Sequence, residues 1–177
     1  MPCAALERHP DSPCAALRGI TASVERTAAG RLEVLFALEG EIDRLRVPPP
    51  RPPRAAERLW ESTCCEVFVA PEAMASYREF NLSPSGEWAA YAFTSYRSRT
   101  PLADPLPDPR ICVSRDAAVL RLSATIPVQA GRLRIGLAAV IEDREGSLSY
   151  WALRHAQGKP DFHHSHAFAL ALDEARH

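Results

Sequence analysis

Short segments in which apolar and polar residues alternate constrain this chain more than any other feature of its sequence. Residues 20–28 and 32–38 both alternate, and the turn-forming pair Ala29-Gly30 separates them. In residues 132–142, the odd-numbered positions from 133 to 141 are all apolar. Successive side chains of a strand point to opposite faces, so this pattern predicts strands with one buried face. Residues 20–38 are therefore predicted to form a hairpin.

The remaining chain continues in the same way, with turn signals at short spacing. Further strands are predicted at 41–47, 63–70, 77–82, 87–94, 110–115, 118–125, 148–153 and 167–172. The turn Pro84-Ser85-Gly86 makes 76–94 a hairpin, and residues 1–18 are predicted to lead into the first strand. About ten strands without an amphipathic helix predict an all-β fold, an antiparallel two-sheet β-sandwich of the immunoglobulin or jelly-roll kind. We expect one domain over residues 1–177.

Charge and cysteine content exclude several classes of function. The 177 residues carry a formal net charge of −1, and Lys159 is the only lysine, so neither nucleic acid nor a membrane surface is an expected partner. Five cysteines at irregular spacing do not form a disulfide framework. The first 20 residues lack a signal-peptide pattern and no apolar run is long enough to span a bilayer, so we expect a cytoplasmic protein.

Two proline-rich stretches interrupt the strand pattern. Residues 48–54 read PPPRPPR, and residues 98–110 contain four prolines. A short polyproline segment can bind an aromatic groove of a partner, which makes a protein-interaction domain one hypothesis. The alternative that we favour is a stiff loop between strands.

Two motifs in the middle of the chain resemble a known family. Residues 59–69 read Leu-Trp-Glu, then Ser-Thr-Cys-Cys, then Glu-Val-Phe-Val, and residues 77–88 read YREFNLSPSGEW. Trp151, Pro160 and residues 168–172 add a C-terminal pattern of the form W…P…F-x-L-x-L. Together these segments resemble DOMON-like domains related to family 9 carbohydrate-binding modules. The resemblance implies a β-sandwich that binds a sugar, or in some relatives haem, in loops at one end.

The resemblance and the residue chemistry select the same candidates for a sugar site. A sugar presents apolar C–H faces ringed by hydroxyl groups, so its site needs flat aromatic surface beside charged or amide groups. Trp60 precedes a strand and could stack on a sugar, and nearby polar groups could contact its hydroxyls. The predicted ligand-binding residues are Trp60, Glu66, Glu79, Asn81, Trp88, Phe162, His163 and His164.

Each of these residues also has a purely structural interpretation. Trp60 could cap the core, and Glu66 shares a strand face with Phe68 and could be a satisfied buried carboxylate. The stripe of Tyr77, Glu79 and Asn81 could be only the solvated side of its strand. For Trp88 we favour packing over contact with a ligand.

The sequence departs from the family pattern at two places. Ser62 and Thr63 stand where many relatives carry an aspartate, which weakens any calcium or hydroxyl contact there. The C-terminal loop offers Phe162, His163 and His164 but no tryptophan. A pair of tryptophans enclosing a sugar is therefore not expected.

The loop at 154–166 is rich in histidine, which leaves a metal site open as an alternative. Candidate ligands are Asp161, His163, His164 and His166. Met74 with His163 could in principle supply the two axial ligands of a haem. We favour contact of one or two of these histidines with a polar ligand and expect no resident cofactor.

Catalysis is a minority hypothesis. The sequence lacks a serine elbow, a glycine-rich phosphate loop and a cysteine–histidine motif. Glu61, Glu66 and Glu79 could supply a carboxylate pair for glycoside hydrolysis if two of them lie about 5 to 9 Å apart. The leading hypothesis is a non-catalytic module that binds a small sugar or a similar polar ligand.

Overall fold

The computed structural model describes residues 3–102 and 108–174, and strands dominate them. Within these ranges, twelve strands occur in chain order, β1 Cys3–Arg8, β2 Leu17–Arg26, β3 Arg31–Gly40, β4 Cys64–Pro71, β5 Tyr77–Leu82, β6 Trp88–Ser95, β7 Ser98–Thr100, β8 Arg110–Arg115, β9 Val119–Pro127, β10 Leu133–Glu142, β11 Leu148–Ala152 and β12 Leu170–Leu172. The described residues also form three short 3-10 helices, at Ile42–Arg44, Leu59–Glu61 and Ser165–Ala167. The predicted all-β class is confirmed. In the described part of the chain, no helix is long and apolar enough to cross a membrane.

Hydrogen bonding joins the strands into one antiparallel sheet instead of two separate ones. The strand order is β7-β6-β5-β4-β10-β11-β1-β2-β3-β9-β8, and β12 pairs with β10. The link is β1, in which Leu6 pairs with Ile20 of β2 while Arg8 pairs with Trp151 of β11. A strand predicted only as a lead-in thus connects the two halves of the sheet.

Both halves of this sheet contribute to the same hydrophobic core. Phe36 and Leu38 of β3 belong to one buried cluster with Val67 of β4, Phe80 of β5 and Leu137 of β10. The alternating pattern of each strand supplies these side chains from one face. The opposite face of β4, β5, β6, β10 and β11 is thereby left to form a second surface.

The predicted strand at 41–47 is wrong. Ile42–Arg44 forms a 3-10 helix, and the Leu45 N–H donates to the Ile42 carbonyl over 3.0 Å. Ile42 and Leu45 are both buried, and a 3-10 turn brings residues three apart onto one face, so this geometry places both in the core.

Part of the segment 98–110, which was predicted to be a loop, forms regular secondary structure. Ser98–Thr100 forms the edge strand β7. Residues 103–107 of that predicted loop lie outside the described residues.

The proline-rich stretch at 48–54 packs along the end of the β5–β6 hairpin. The Arg51 N–H donates to the Ser85 carbonyl over 2.8 Å, and the Trp88 N–H donates to the Arg54 carbonyl over 3.1 Å. Glu87 forms ion pairs with the Arg51 and Arg54 guanidinium groups at 3.5 and 2.8 Å. Backbone and side-chain contacts therefore hold this segment against the sheet.

Candidate functional site

A cleft of about 720 Å³ lies on the sheet face opposite the main core. Its floor comes from β4, β5, β6, β10 and β11, and its walls come from the Leu59–Glu61 helix, the β6–β7 turn and the histidine-rich loop. The residues that line it are Trp60, Glu61, Glu66, Glu79, Tyr91, Phe93, Arg97, Arg99, Val140, Leu148, Tyr150, Pro160, Phe162 and His163. It contains five of the eight predicted ligand-binding residues.

Strand alternation decides which side chains reach this cleft. In β4, Cys65 and Val67 point into the main core, so Glu66 and Phe68 point to the cleft side. In β5, Phe80 belongs to the core, and its neighbours of opposite parity face the other way.

Two glutamates lie side by side at the bottom of the cleft. Glu66 of β4 pairs in register with Asn81 of β5, and Glu79 stands one step further along the same face. Glu66 is 4% exposed and Glu79 is 6% exposed. The stripe of Tyr77, Glu79 and Asn81 is therefore buried, and the interpretation of it as the solvated side of β5 is wrong.

Burial controls the protonation of this pair. Burial, reinforced by the charge of Glu79, raises the pKa of Glu66 well above its ordinary range. Burial also raises the pKa of Glu79 to about 7, although Asn81 and the positive charges of Arg99 and Arg97 act in the opposite direction. The pair therefore holds at least one proton more readily than ordinary carboxylates do.

Asn81 lies beside Glu66 in the register of β4 and β5, on the same face as Glu79, and is completely buried. Neither its amide nitrogen nor its amide oxygen reaches full hydrogen-bond geometry with a partner among the described residues, but the amide lies close enough to Glu79 to lower the pKa of that carboxyl group. An amide can both donate and accept, so Asn81 can accommodate a change of protonation or contact at its neighbours.

His163 closes one side of the cleft within an aromatic cluster. Its ring contacts Phe68, Tyr77 and Phe93 at centroid distances of 5.3, 5.9 and 5.1 Å. Its Nδ1 lies 2.9 Å from the Tyr77 hydroxyl, and its Nε2 lies 3.6 Å from Oε2 of Glu79. Burial, reinforced by the positive charge of Arg97, lowers the pKa of His163 to about 4, so the ring is neutral at pH 7.

Asp161 fixes the histidine-rich loop against the β6–β7 turn. Its carboxylate accepts hydrogen bonds from the Tyr96 hydroxyl at 2.6 Å, from Arg97 Nη2 at 2.9 Å and from the His163 N–H at 3.1 Å. Burial acts to raise the pKa of Asp161, but the bonds from Tyr96 and Arg97 outweigh it and the pKa is lowered. Asp161 therefore positions His163 and Arg97.

Trp60 stands at the rim of the cleft in the Leu59–Glu61 helix. The residue is 38% exposed, and its ring meets the Tyr91 ring edge to face, with the centroids 5.8 Å apart. The Arg99 guanidinium covers Tyr91 at 4.1 Å from the ring centroid. Glu61 forms an ion pair with Arg58. The rim thus combines partly open aromatic surface with charged groups.

Three predicted ligand-binding residues do not line the cleft. Trp88 lies on the opposite side of β6, partly buried and packed against the main core. Asn81 shares the strand face of Glu79 but is completely buried and does not line the cleft. His164 lies beside a separate depression with His166, whose N–H it accepts over 3.3 Å.

The candidate metal ligands are not gathered into a cluster. Within the described ranges, no three or more His, Cys, Asp or Glu side chains are arranged to hold a metal ion. Met74, proposed with His163 as a haem pair, is exposed and does not line the cleft. Ser62, at a departure from the family pattern, donates a 2.7 Å hydrogen bond to Glu142.

Sequence reasoning missed the aromatic floor and both arginines. Tyr91 and Phe93 pair in register with Glu79 and Tyr77 across the β5–β6 hairpin. The predicted turn at 84–86 fixes this register, so strand parity alone could have selected these two residues in place of Trp88. Arg97 and Arg99 follow the hairpin, and nothing local marks them.

Comparison with known proteins gives structural likeness without sequence likeness. No protein-family model matches the sequence, and no curated protein is similar to it. A proposed carbohydrate-binding protein from Bacteroides uniformis ATCC 8492 superposes with a TM-score of 0.63 at 16% identity, covering 98% of this chain and 86% of that one.

A family 9 carbohydrate-binding module from Caldicellulosiruptor kristjanssonii, solved with glucose, gives a TM-score of 0.55 at 11% identity, covering 95% of this chain and 83% of that one. The complex of such a module from the same organism with cellotriose gives a TM-score of 0.55 at 10% identity, covering 94% of this chain and 85% of that one. At such identities the likeness concerns the fold, and this chain shares its all-β fold with carbohydrate-binding proteins.

Proposed function

We propose that this protein is a non-catalytic module that binds a small carbohydrate in the cleft between Trp60 and His163. The observation that carries the proposal is the partly open Trp60 ring at the rim of a cleft whose floor holds buried carboxylates. The proposed ligand contacts are Trp60, Tyr91, Glu66, Glu79 and Arg99.

The chemistry of the lining suits a sugar. Aromatic faces and edges pack against the C–H groups of a pyranose ring, while charged side chains make directed hydrogen bonds to its hydroxyl groups. The cleft offers Trp60, Tyr91 and Tyr150 for the first role, and Glu66 and Glu79 for the second. A largely preformed concave site of this volume is typical of small-molecule binding.

The structural neighbours support the same class of ligand. Two of them are complexes of a binding module with glucose and with cellotriose. The proposal extends this class of ligand from those proteins to the present chain, and it further proposes that the present chain is not catalytic.

The decisive experiment is isothermal titration of the full chain with glucose and cellotriose. The Trp60→Ala variant should bind the same sugar about tenfold more weakly, because the stacking surface is removed. Met74→Ala is the matched control, since Met74 is 56% exposed and lies outside the cleft. Wild-type protein that binds no mono- or oligosaccharide, or an unchanged affinity in Trp60→Ala, would overturn the proposal.

A hydrolysis assay separates binding from catalysis. The buried pair Glu66 and Glu79 is the arrangement that a glycosidase would use if the two carboxyl groups flanked a glycosidic bond. Here they project from the same face of neighbouring strands. We expect no release of reducing ends from cellotriose during prolonged incubation, and measurable release would favour the enzyme alternative.

A further inference from the structure

In residues 3–102 and 108–174, no cationic side chain contacts the buried carboxylates of Glu66 and Glu79. Among the described residues, the carboxyl group of Glu66 makes neither a hydrogen bond nor an ion pair. The ion-pair partner of Glu79 is His163, whose Nε2 lies 3.6 Å from Oε2. That ring is neutral at pH 7, so it brings no charge to the pair.

The two arginines nearby are engaged with other groups. The Arg97 guanidinium bonds to Oδ1 of Asp161 at 2.9 Å and to the Tyr96 hydroxyl at 3.3 Å. The Arg99 guanidinium lies 4.1 Å above the centre of the Tyr91 ring. Both act on Glu79 through space, but neither hydrogen-bonds to it in the described part of the protein.

Two buried carboxylates without a counter-ion are costly to ionise. Burying a charge is unfavourable unless it is paired, so such a pair keeps a proton until a cation arrives. A ligand that brings a positive charge would remove this cost, whereas a neutral ligand would not.

The walls of the cleft are also suited to a cation. Aromatic rings attract cations through the negative potential of their faces. The aromatic residues that line the cleft are Trp60, Tyr91, Phe93, Tyr150 and Phe162. Aromatic rings around a carboxylate floor are a common arrangement for an organic ammonium group.

We propose that the cleft prefers sugars that carry a free primary amine, with the ammonium group seated against the carboxylates of Glu66 and Glu79. The ligand class is the amino sugars, such as glucosamine and its unacetylated oligomers. This inference rests on the proposed function and narrows its ligand. An ammonium group has three donors, which is enough to reach both carboxylates and one further acceptor.

Binding should then displace protons from the pair. The titratable and charged groups that face it are Cys64 on β4, Tyr77 on β5, Tyr91 on β6, Arg97 and Arg99 after β6, Glu61 at the rim and His163 on the opposite wall. The Cys64 and tyrosine groups are neutral at pH 7, because burial raises the pKa of each. The protons released on binding would come from Glu66 and Glu79.

The test compares glucosamine, glucose and N-acetylglucosamine by isothermal titration at about pH 6, where a primary amine is charged. We expect glucosamine to bind at least about tenfold more tightly than glucose, and N-acetylglucosamine to lose this advantage. Titration in two buffers of different ionisation enthalpy should show proton release with glucosamine but not with glucose.

Substitutions identify the groups responsible. Glu79→Gln should reduce the preference for glucosamine to near unity, and Glu66→Gln provides a second variant if the first fails to fold. Glu33→Gln is the matched control, because it removes the same charge from an exposed position on β3. It should leave the preference intact.

The outcomes separate this inference from the proposed function. Glucose binding without a preference for glucosamine overturns the inference and leaves the carbohydrate module standing. A preference that survives in both Glu66→Gln and Glu79→Gln also overturns it. No binding of any sugar overturns both.

Discussion

The Tyr77 hydroxyl lies 2.9 Å from Nδ1 of His163 and ties β5 to the histidine-rich loop. The same hydroxyl accepts the Arg97 N–H over 3.0 Å, so its own proton is free to be donated to Nδ1. The neutral ring then carries its proton on Nε2, which faces Glu79. One tyrosine therefore sets both the position and the tautomer of the histidine.

Removing this hydroxyl should destabilise the protein. Tyr77→Phe keeps the ring packing but leaves Nδ1 of His163 and the Arg97 N–H without their partner. We expect a loss of about 1 to 3 kcal/mol in the free energy of unfolding, measured by chemical denaturation. Tyr150→Phe is the control, because within the described residues the Tyr150 hydroxyl makes no hydrogen bond, and it should change stability by less than about 0.5 kcal/mol. Equal losses in the two variants would contradict the assigned role.

The raised pKa of Glu79 should make stability depend on pH. A carboxyl whose pKa rises from 4.5 to about 7 on folding binds protons more tightly in the folded state. Stability from this group is therefore complete below pH 4.5 and is lost as pH rises through 7, by on the order of 3 kcal/mol. Glu66 acts in the same direction.

His163 opposes this trend in part of the range. Its pKa falls from 6.5 to about 4 on folding, so its contribution grows as pH rises across that window. Both Glu79→Gln and the wild type contain His163, so the difference in stability between them removes the contribution of His163. The melting temperature of the variant relative to wild type should rise between about pH 5 and pH 8. A constant difference across the range would show that Glu79 titrates normally.

Gly136 should not tolerate a larger side chain. A Cβ there would lie 2.8 Å from Cδ1 of Phe168 and 3.2 Å from Cβ of Phe68. Phe168 stacks on Phe68 at 5.5 Å and supports the wall behind His163. We expect Gly136→Ala to cost about 1 to 3 kcal/mol in denaturation experiments.

Gly19→Ala is the matched control, because a Cβ at this position meets nothing within 4 Å. It should be neutral or slightly stabilising. A neutral Gly136→Ala would mean that Phe168 can move without loss.

Glu87 should hold the proline-rich segment against the sheet. In Glu87→Ala, Arg51 and Arg54 lose their ion pairs at 3.5 and 2.8 Å. Limited trypsin digestion should then cut faster after Arg54, because the segment detaches more often. Glu57→Ala, at an exposed position in the same stretch of chain, should digest like wild type. Identical cleavage in both variants would show that backbone bonds alone hold the segment.

Much of the strand content follows from local sequence. The hairpin at 76–94 and the strands at 63–70 and 132–142 were predicted because alternation is a property of consecutive residues. The wrong prediction of a strand at 41–47 also came from local alternation. The buried residues Ile42 and Leu45 are three positions apart, a spacing that suits a 3-10 turn better than a strand. The bridging role of β1 was missed because one of its two partners, β11, lies far away along the chain, although β2 follows it directly.

The features of the candidate site also differ in whether local sequence or tertiary structure determines them. The sequence by itself determined that the chain is all-β and that Glu66, Phe68 and the residues of matching parity share one face of their strands, because side-chain direction has a period of two. Only the tertiary structure decided that Glu66 and Glu79 form a buried pair, that Trp88 packs into the core, and that His163 rests on Tyr77. Those relations depend on pairing register and on loop closure over long separations, which no local pattern encodes.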